Sequence, residues 1–300
     1  MQPIVYFTDP HYGCRPLSRK DNYNLAILKK MEFCFKLARK QKAVLLCGGD
    51  LFDRPNINYY DLILLMDLFK RYSDVRVIVN RGNSSHDGHE ENSPLTLLSQ
   101  AGILETSDGR DFVDIGDLRI IFAPNHIDPL SRDSFMDKYK ENYLMTHHLI
   151  VEKPAIYNHF LMEDFVTECS LVFCADYHPF QDIQTCNGTV FVAPGSLARR
   201  KLTKDNVEKV PRCVYIDDRG CKLVEIPYVE DVWVEKVDKE ESELQETELD
   251  MVVFKSEMET IDESLSLESA WEMFASKNNL SDEVVKYINK RLFGAKNEPR

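Results

Sequence analysis

Five short stretches of the chain carry the side chains that do chemistry. They are "DPH" with Asp9 and His11, "GGDLFD" with Asp50 and Asp53, "RGNSSHD" with Asn83, His86 and Asp87, "HH" with His147 and His148, and "ADYH" with Asp176 and His178. Asp and His together, without a cysteine cluster, suit borderline-hard divalent ions such as manganese, iron or zinc. At least seven candidate ligands are too many for one ion. Two ions sharing a bridging carboxylate would use them all. Such a pair, about 3.5–4 Å apart, clamps a phosphate and activates a water for phosphoryl chemistry.

Taken singly, each stretch has an ordinary explanation. Asp-x-His arises often by chance, "GGDLFD" suits a strand-to-helix turn with an N-cap aspartate, and a histidine pair sits readily in a core. What joins them is position, because each follows a short apolar run: "IVYFT" (4–8), "AVLLC" (43–47), "VRVIV" (75–79), "YLMT" (143–146) and "LVFC" (171–174). In open α/β sheets ligands bind outside the carboxyl ends of the strands. Five such ends would converge on one cleft. Gly48, Gly49 and Gly82 suit tight strand exits or close backbone approach.

Between the first runs lie amphipathic stretches, 24–41 and 59–72, whose apolar residues recur at helical spacing. Strand, helix, strand in this order predicts a parallel sheet buried on both faces. A second set of runs follows at 118–123, 143–146, 171–174, 189–194, 213–217 and 222–226, with fewer helical stretches between them. These predict a mixed second sheet packed on the first. The fold class is therefore α/β, two mixed sheets sandwiched with flanking helices, plus a small C-terminal helical appendage. The expected divisions are a catalytic domain over 1–228, an acidic linker over 229–265 and a helical tail over 266–300. In the tail Leu267, Ala270, Met273 and Phe274 share one helix face, and Val284, Val285, Ile288 and Leu292 another.

The 300 residues are 43% hydrophobic and 29% charged, enough for a sizeable core. No apolar run is long enough to span a membrane. The first residues lack the basic and apolar regions of a signal peptide. Eight scattered cysteines without C-x-x-C pairs read as reduced thiols of a cytoplasmic protein. A net charge of −13 argues against a protein that coats nucleic acid by itself. The acidity is uneven, however: residues 230–250 hold ten acidic groups against two lysines. A local basic face remains open to the body, and "SLARRKLTK" (196–204) is its compact candidate.

The ordered set Asp-x-His, Gly-Asp-x-x-Asp, Gly-Asn with a nearby His-Asp, a strand-end His and then x-x-x-His resembles the calcineurin-like metallophosphoesterases. "GDLFDRP" and "HPFQ…NGTVFVAPGSLARR" are most similar to the SbcD-type DNA repair nucleases, phage versions included. The resemblance covers about residues 1–228. It implies that Asp9, His11 and His178 hold a first metal, that Asp50 bridges, and that Asn83, His147 and Asp176 complete a second. It places His86 beside the scissile phosphate as a charge stabiliser or leaving-group acid, with Asp87 orienting it by a hydrogen bond. It implies exonuclease action on duplex ends and endonuclease action on single strands or hairpins. As partners it implies DNA without sequence specificity, an SbcC-like coiled-coil ATPase gripped by the helical tail, and a second copy of the chain; the setting is the cytoplasm of a bacterial or phage-infected cell.

Two departures bear on the chemistry. Ser84 and Ser85 separate Asn83 from His86, where the family text is Gly-Asn-His-Asp. The His-Asp pair is intact after the insert, so a bulged loop is expected to bring His86 to the phosphate. Asp176 stands where the family has histidine. Three carboxylates on two ions favour manganese, or magnesium, over zinc. Arg54, Arg199, Arg200 and Lys201 are the candidate contacts to DNA phosphates. Two rival readings stand beside the nuclease: a phosphoesterase of the same fold with a small phosphodiester or phosphomonoester substrate, and a non-catalytic scaffold that recruits a partner through its tail.

Overall fold

The computed structural model describes residues 1–155 and 158–234. The expected helical tail, and the acidic linker beyond 234, lie outside the described residues. In chain order the elements are β1 (Ile4–Phe7), α1 (Tyr23–Gln41), β2 (Val44–Cys47), α2 (Tyr59–Arg71), β3 (Val77–Val79), α3 (Ser84–Asp87), α4 (Pro94–Gln100) and β4 (Glu105–Thr106). Then come β5 (Phe112–Ile115), β6 (Leu118–Ala123), a 3-10 turn (Pro129–Phe135), β7 (Glu141–Thr146), β8 (Ile150–Val151), β9 (Phe160–Leu161) and β10 (Leu171–Cys174). The remainder is β11 (Gln184–Cys186), β12 (Thr189–Val192), α5 (Lys204–Glu208), β13 (Arg212–Asp217) and β14 (Gly220–Glu225).

The strands form two six-stranded mixed sheets, ordered β14-β13-β1-β2-β3-β4 and β11-β12-β10-β7-β6-β5, with β8 and β9 a separate pair. Side-chain alternation along a strand explains the layers. Ile4, Tyr6, Val44, Leu46 and Ile78 face the second sheet, where Ile120, Phe122, Tyr143, Met145 and Phe173 meet them. Val5, Phe7, Leu45, Cys47, Val77 and Val79 face the other way, onto Ile27, Met31, Phe35, Leu65 and Leu98 of the helices. The outer face of the second sheet, with Ile121, Leu144, Val172 and Phe191, is covered by Ile150, Met162 and Phe165. Both strand faces being buried, the runs read as continuously apolar.

Helix starts follow their caps: Asn22 accepts from the Leu25 amide and Asn58 from the Asp61 amide. All eight cysteines are free thiols, five of them buried. Among the described residues no helix is long and apolar enough to cross a membrane.

One expectation is corrected. The runs at 213–217 and 222–226 belong to the first sheet, not the second: β13 pairs antiparallel with β1 through Ile4 and Ile216, Val5 and Tyr215, and Tyr6 and Val214. Without it β1 would present an apolar open edge, and the β13–β14 hairpin closes that edge.

Candidate metal centre

The carboxyl ends of β1, β2, β3, β7 and β10 stand together, and each delivers its polar residues into one cluster. Asp9 and His11 follow β1, Asp50 follows β2, Asn83 follows β3, His147 follows β7, and Asp176 and His178 follow β10. Four of these residues hold left-handed backbone: Asp9 at φ 49°, His11 at 45°, Asp50 at 49° and Asp176 at 68°. Lys42 and Asn187 are the other non-glycines that do so among the described residues. Asp and His tolerate this region better than branched residues, and such strain gathers at functional sites. Glycine is required beside them: a methyl on Gly82 would overlap the Asp50 carboxylate, and one on Gly49 the His147 ring.

Asp50 is the hub. Its Oδ1 lies 3.3 Å from His147 Nε2, and its Oδ2 lies 3.8 Å from His11 Nε2. On one side, His11 Nε2 and His178 Nε2 approach to 3.0 Å, with Asp9 Oδ1 4.0 Å from His178. On the other side, Asn83 Nδ2 lies 3.1 Å from Asp176 Oδ1 and 3.4 Å from both Asp50 Oδ2 and His147 Nε2. His147 Nδ1 donates to the Gly48 carbonyl at 3.0 Å, which aims Nε2 at the cluster, where it becomes a ligand atom once an ion displaces its proton.

The electrostatics call for cations. Asp9, His11, Asp50 and His147 are fully buried or nearly so. Burial, reinforced by the Asp50 charge, pushes the Asp9 carboxyl up to about 7. Burial raises Asp176 too, again with Asp50 adding to it. Burial alone would raise Asp50, but the His147 and His86 imidazoles and the Asn83 amide hold it below the usual carboxylate range. Burial would likewise depress His147, yet the carboxylates led by Asp50 hold it well above an ordinary imidazole. Burial pushes His11 and His178 down, and the Arg200 guanidinium adds to both shifts. Two polar atoms of the cluster, Asp9 Oδ1 and His11 Nδ1, are buried without a hydrogen-bond partner. Unpartnered ligand atoms among crowded carboxylates and neutral imidazoles fit divalent ions. Asp9, His11 and His178 form one group with metal-binding spacing, and Asp9, Asp50 and His147 another. Asn83 now donates its amide nitrogen to the carboxylates; a flip of the amide would present its oxygen to an ion there.

The serines of "GNSSHD" close one helical turn, α3, in which the His86 and Asp87 amides both donate to the Asn83 carbonyl. That turn carries His86 to the cluster. Its Nδ1 meets the Asp53 carbonyl at 2.5 Å, its Nε2 lies 3.9 Å from Asp50 Oδ2, and its ring stands edge-on to His11 with centroids 4.5 Å apart. The expected role of Asp87 as its orienting partner is corrected. The Asp87 carboxylate is fully buried and accepts from the backbone amides of Phe52 (3.1 Å) and Gly82 (2.9 Å). Neighbours on one helical turn point in different directions, so Asp87 ties two loops together while the Asp53 carbonyl orients His86. His148 also turns from the cluster, onto Thr146 Oγ1 at 2.6 Å.

Of the four basic candidates, Arg199 is corrected. It is 1% exposed, and its guanidinium donates to the carbonyls of Asn206, Val207 and Val229 at 2.8–3.0 Å, so it cannot meet DNA. Arg200 reaches the site rim, where it pairs with Asp53. Arg54 is 68% exposed and 3.5 Å from Asp53, and Lys201 is exposed. Asp53, with His11 Nδ1 3.9 Å away, thus joins Arg54 and Arg200 to the cluster. Lys209, absent from the expected set, donates to the Ala198 carbonyl at 2.9 Å; nothing in its sequence surroundings marked it.

The calcineurin-like phosphoesterase family matches residues 2–254 of the chain. A curated relative, "DNA double-strand break repair protein Mre11" of Aeropyrum pernix, is 28% identical over 135 residues, 41% of this chain and 33% of that protein. The chain thus spans about a third of the length of the curated relative it matches. Among solved structures, a novel archaeal phosphodiesterase superposes with a TM-score of 0.40 at 11% identity, covering 75% of this chain and all of that one. Pseudomonas putida nuclease MPE gives 0.32 at 13%, covering 74% and 87%. Vps29 of Chaetomium thermophilum gives 0.34 at 13%, covering 77% and all of it.

Proposed function

The chain belongs to the calcineurin-like phosphoesterases, and from that premise we propose that it is a metal-dependent DNA nuclease of the SbcD type, using two divalent ions. The observation that carries the two-ion reading is the place of Asp50, with one carboxylate oxygen toward each group of ligands. Asp9, His11, Asp50 and His178 would hold one ion; Asp50, Asn83, His147 and Asp176 the other. Bound there, the ions supply Lewis acidity to a phosphoryl oxygen and lower the pKa of a water. Asp9, Asp50 and Asp176 are hard oxygen donors, which favours manganese or magnesium.

The chain's own residues do the rest. His86, its Nδ1 engaged by the Asp53 carbonyl, keeps Nε2 for the leaving oxygen, which it protonates as the ester bond breaks. Arg200 at the rim, with exposed Arg54 and Lys201, receives backbone phosphates and so positions DNA without reading its bases. Three things support DNA over a small ester: Arg200 and Arg54, which meet Asp53 beside the centre, the "PGSLARR" text, and the shared segment with a protein named for double-strand break repair. The helical tail docks an SbcC-like ATPase in this reading, and a second copy of the chain completes the nuclease in the cytoplasm.

The test is a digestion by the manganese-loaded full chain. End-labelled duplex and hairpin DNA are set beside bis(p-nitrophenyl) phosphate and p-nitrophenyl phosphate. Cleavage of DNA without sequence preference supports the reading. Turnover of the small esters with intact DNA overturns it and leaves the small-substrate phosphoesterase. Truncation after Val234 is expected to keep metal and basal cleavage and to lose the ATPase; a truncated chain that still co-elutes with the ATPase would rule out docking by the tail.

A further inference from the structure

The segment 196–200 is held in an unusual way. Four successive carbonyls each accept a different side chain: Leu197 from Lys30 Nζ at 2.6 Å, Ala198 from Lys209 Nζ at 2.9 Å, Arg199 from Arg19 Nη1 at 2.7 Å, and Arg200 from Ser18 Oγ. At its start Ser196 Oγ donates to the Asp9 carbonyl at 2.6 Å, and at its end Arg200 meets Asp53. A short loop is thus stretched between a candidate metal ligand and the site rim, with its backbone immobilised from behind.

Two of the four donors belong to residues 18–20, and these are themselves clamped by the last described residues. The Lys20 amide donates to Val232 and the Val234 amide to Ser18, at 3.0 and 3.1 Å, while Arg19 bridges Trp233. Val232 is buried. Two guanidinium groups lie over the Trp233 ring, Arg19 at 5.4 Å and Arg199 at 5.3 Å from its centroid. Arg199 also faces Tyr228 at 4.7 Å and donates to the Val229 carbonyl at 3.0 Å. Stacked cations of this kind are held by the ring quadrupole and by lost hydration.

We propose that residues 228–234 are a strap that sets the position of Arg200, with Trp233 as its positioning residue, so that the grip on substrate phosphate depends on the strap being seated. The contact chain runs from Trp233 through Arg19 and Ser18 to the carbonyls of Arg199 and Arg200, and on to the Arg200 guanidinium. This rests on the proposed phosphate contact of Arg200. A released strap frees Arg19 and Ser18 and lets the 196–200 loop drift. Ions stay bound, because no ligand depends on Trp233 directly.

The test is a double-mutant cycle on the full chain, manganese-loaded, with a DNA oligonucleotide as substrate, reading kcat, KM, metal content and melting temperature for Trp233→Ala, Arg200→Ala and the pair. Trp233→Ala is expected to raise KM about five- to tenfold, the effect of a cation–π contact between the exposed and the fully desolvated case, with kcat and metal content near the parent's. The double variant should match Arg200→Ala alone, and Trp233→Phe should restore KM. Losses that multiply would overturn the strap's role alone, as would an unchanged KM in Trp233→Ala beside a raised one in Arg200→Ala. An Arg200→Ala variant with the parent's KM overturns the phosphate contact itself, and the strap's role with it.

Discussion

His86→Ala separates chemistry from architecture. The ring is not among the residues assigned to the ions, and only its Nδ1 is bound, to the Asp53 carbonyl at 2.5 Å. Its Nε2 stands 3.9 Å from Asp50 Oδ2, free to meet a leaving oxygen. The side chain is 16% exposed, so its removal should cost stability only about 1 kcal/mol. A positioned general acid is worth roughly 10²–10⁴-fold, or about 3–5 kcal/mol of barrier at 1.36 kcal/mol per decade. The size of the loss must depend on the leaving group. A DNA strand departs as a basic alkoxide and needs the proton; p-nitrophenolate leaves readily without one. Initial rates of His86→Ala on DNA and on bis(p-nitrophenyl) phosphate, at equal metal content, are therefore expected to fall by about 10²–10⁴ and by less than about tenfold respectively. Equal losses on the two substrates would refute leaving-group protonation. A parental rate on DNA would mean that the turn made by Ser84 and Ser85 puts His86 out of use.

Arg199→Ala should lower stability by about 2–3 kcal/mol, because a buried side chain is lost and three backbone carbonyls lose a charged donor; thermal melting reads it, and an unchanged midpoint would return Arg199 to the surface role. Asp176→Ala should weaken one ion and leave the other, and Asp176→His should shift preference toward zinc or cobalt; metal analysis showing both ions at full occupancy in the alanine variant contradicts its role. Metal affinity should fall with acid: the ion-free Asp9 carboxyl keeps its proton up to about 7, so below that pH an ion must displace the Asp9 proton, and above it need not. Calorimetry in buffers of different ionisation heat should then show more proton release on loading at pH 6 than at pH 8, where the Asp9 proton is already gone; equal release at the two pH values would contradict the burial argument.

Much of the site was legible because buried strands are short apolar runs, and a polar residue directly after one has nowhere to go but the sheet's end. Asp9, Asp50 and His147 were placed on that basis alone. Side-chain direction was not legible. Asp87 follows His86 in sequence, yet one helical turn sends its carboxylate to the Gly82 and Phe52 amides. Arg199 and Arg200 are neighbours of the same type, yet one is buried under Tyr228 and Trp233 while the other reaches the rim. The hairpin 212–225 read clearly as two strands, but apolar alternation names no partner, and only the open edge of β1 decides the sheet. The left-handed backbone of the four ligand candidates had a faint signal, since Asp and His are types that tolerate it.

The most direct measurement is activity against bound manganese, titrated into the metal-free chain and compared with Asp50→Ala. With Asp50 shared, the parent should bind two ions tightly and hydrolyse a phosphodiester only as the second equivalent binds, and Asp50→Ala should lose tight binding at both sites together with turnover. Full turnover at one equivalent, or two tightly held ions in Asp50→Ala, would contradict a centre bridged by that carboxylate.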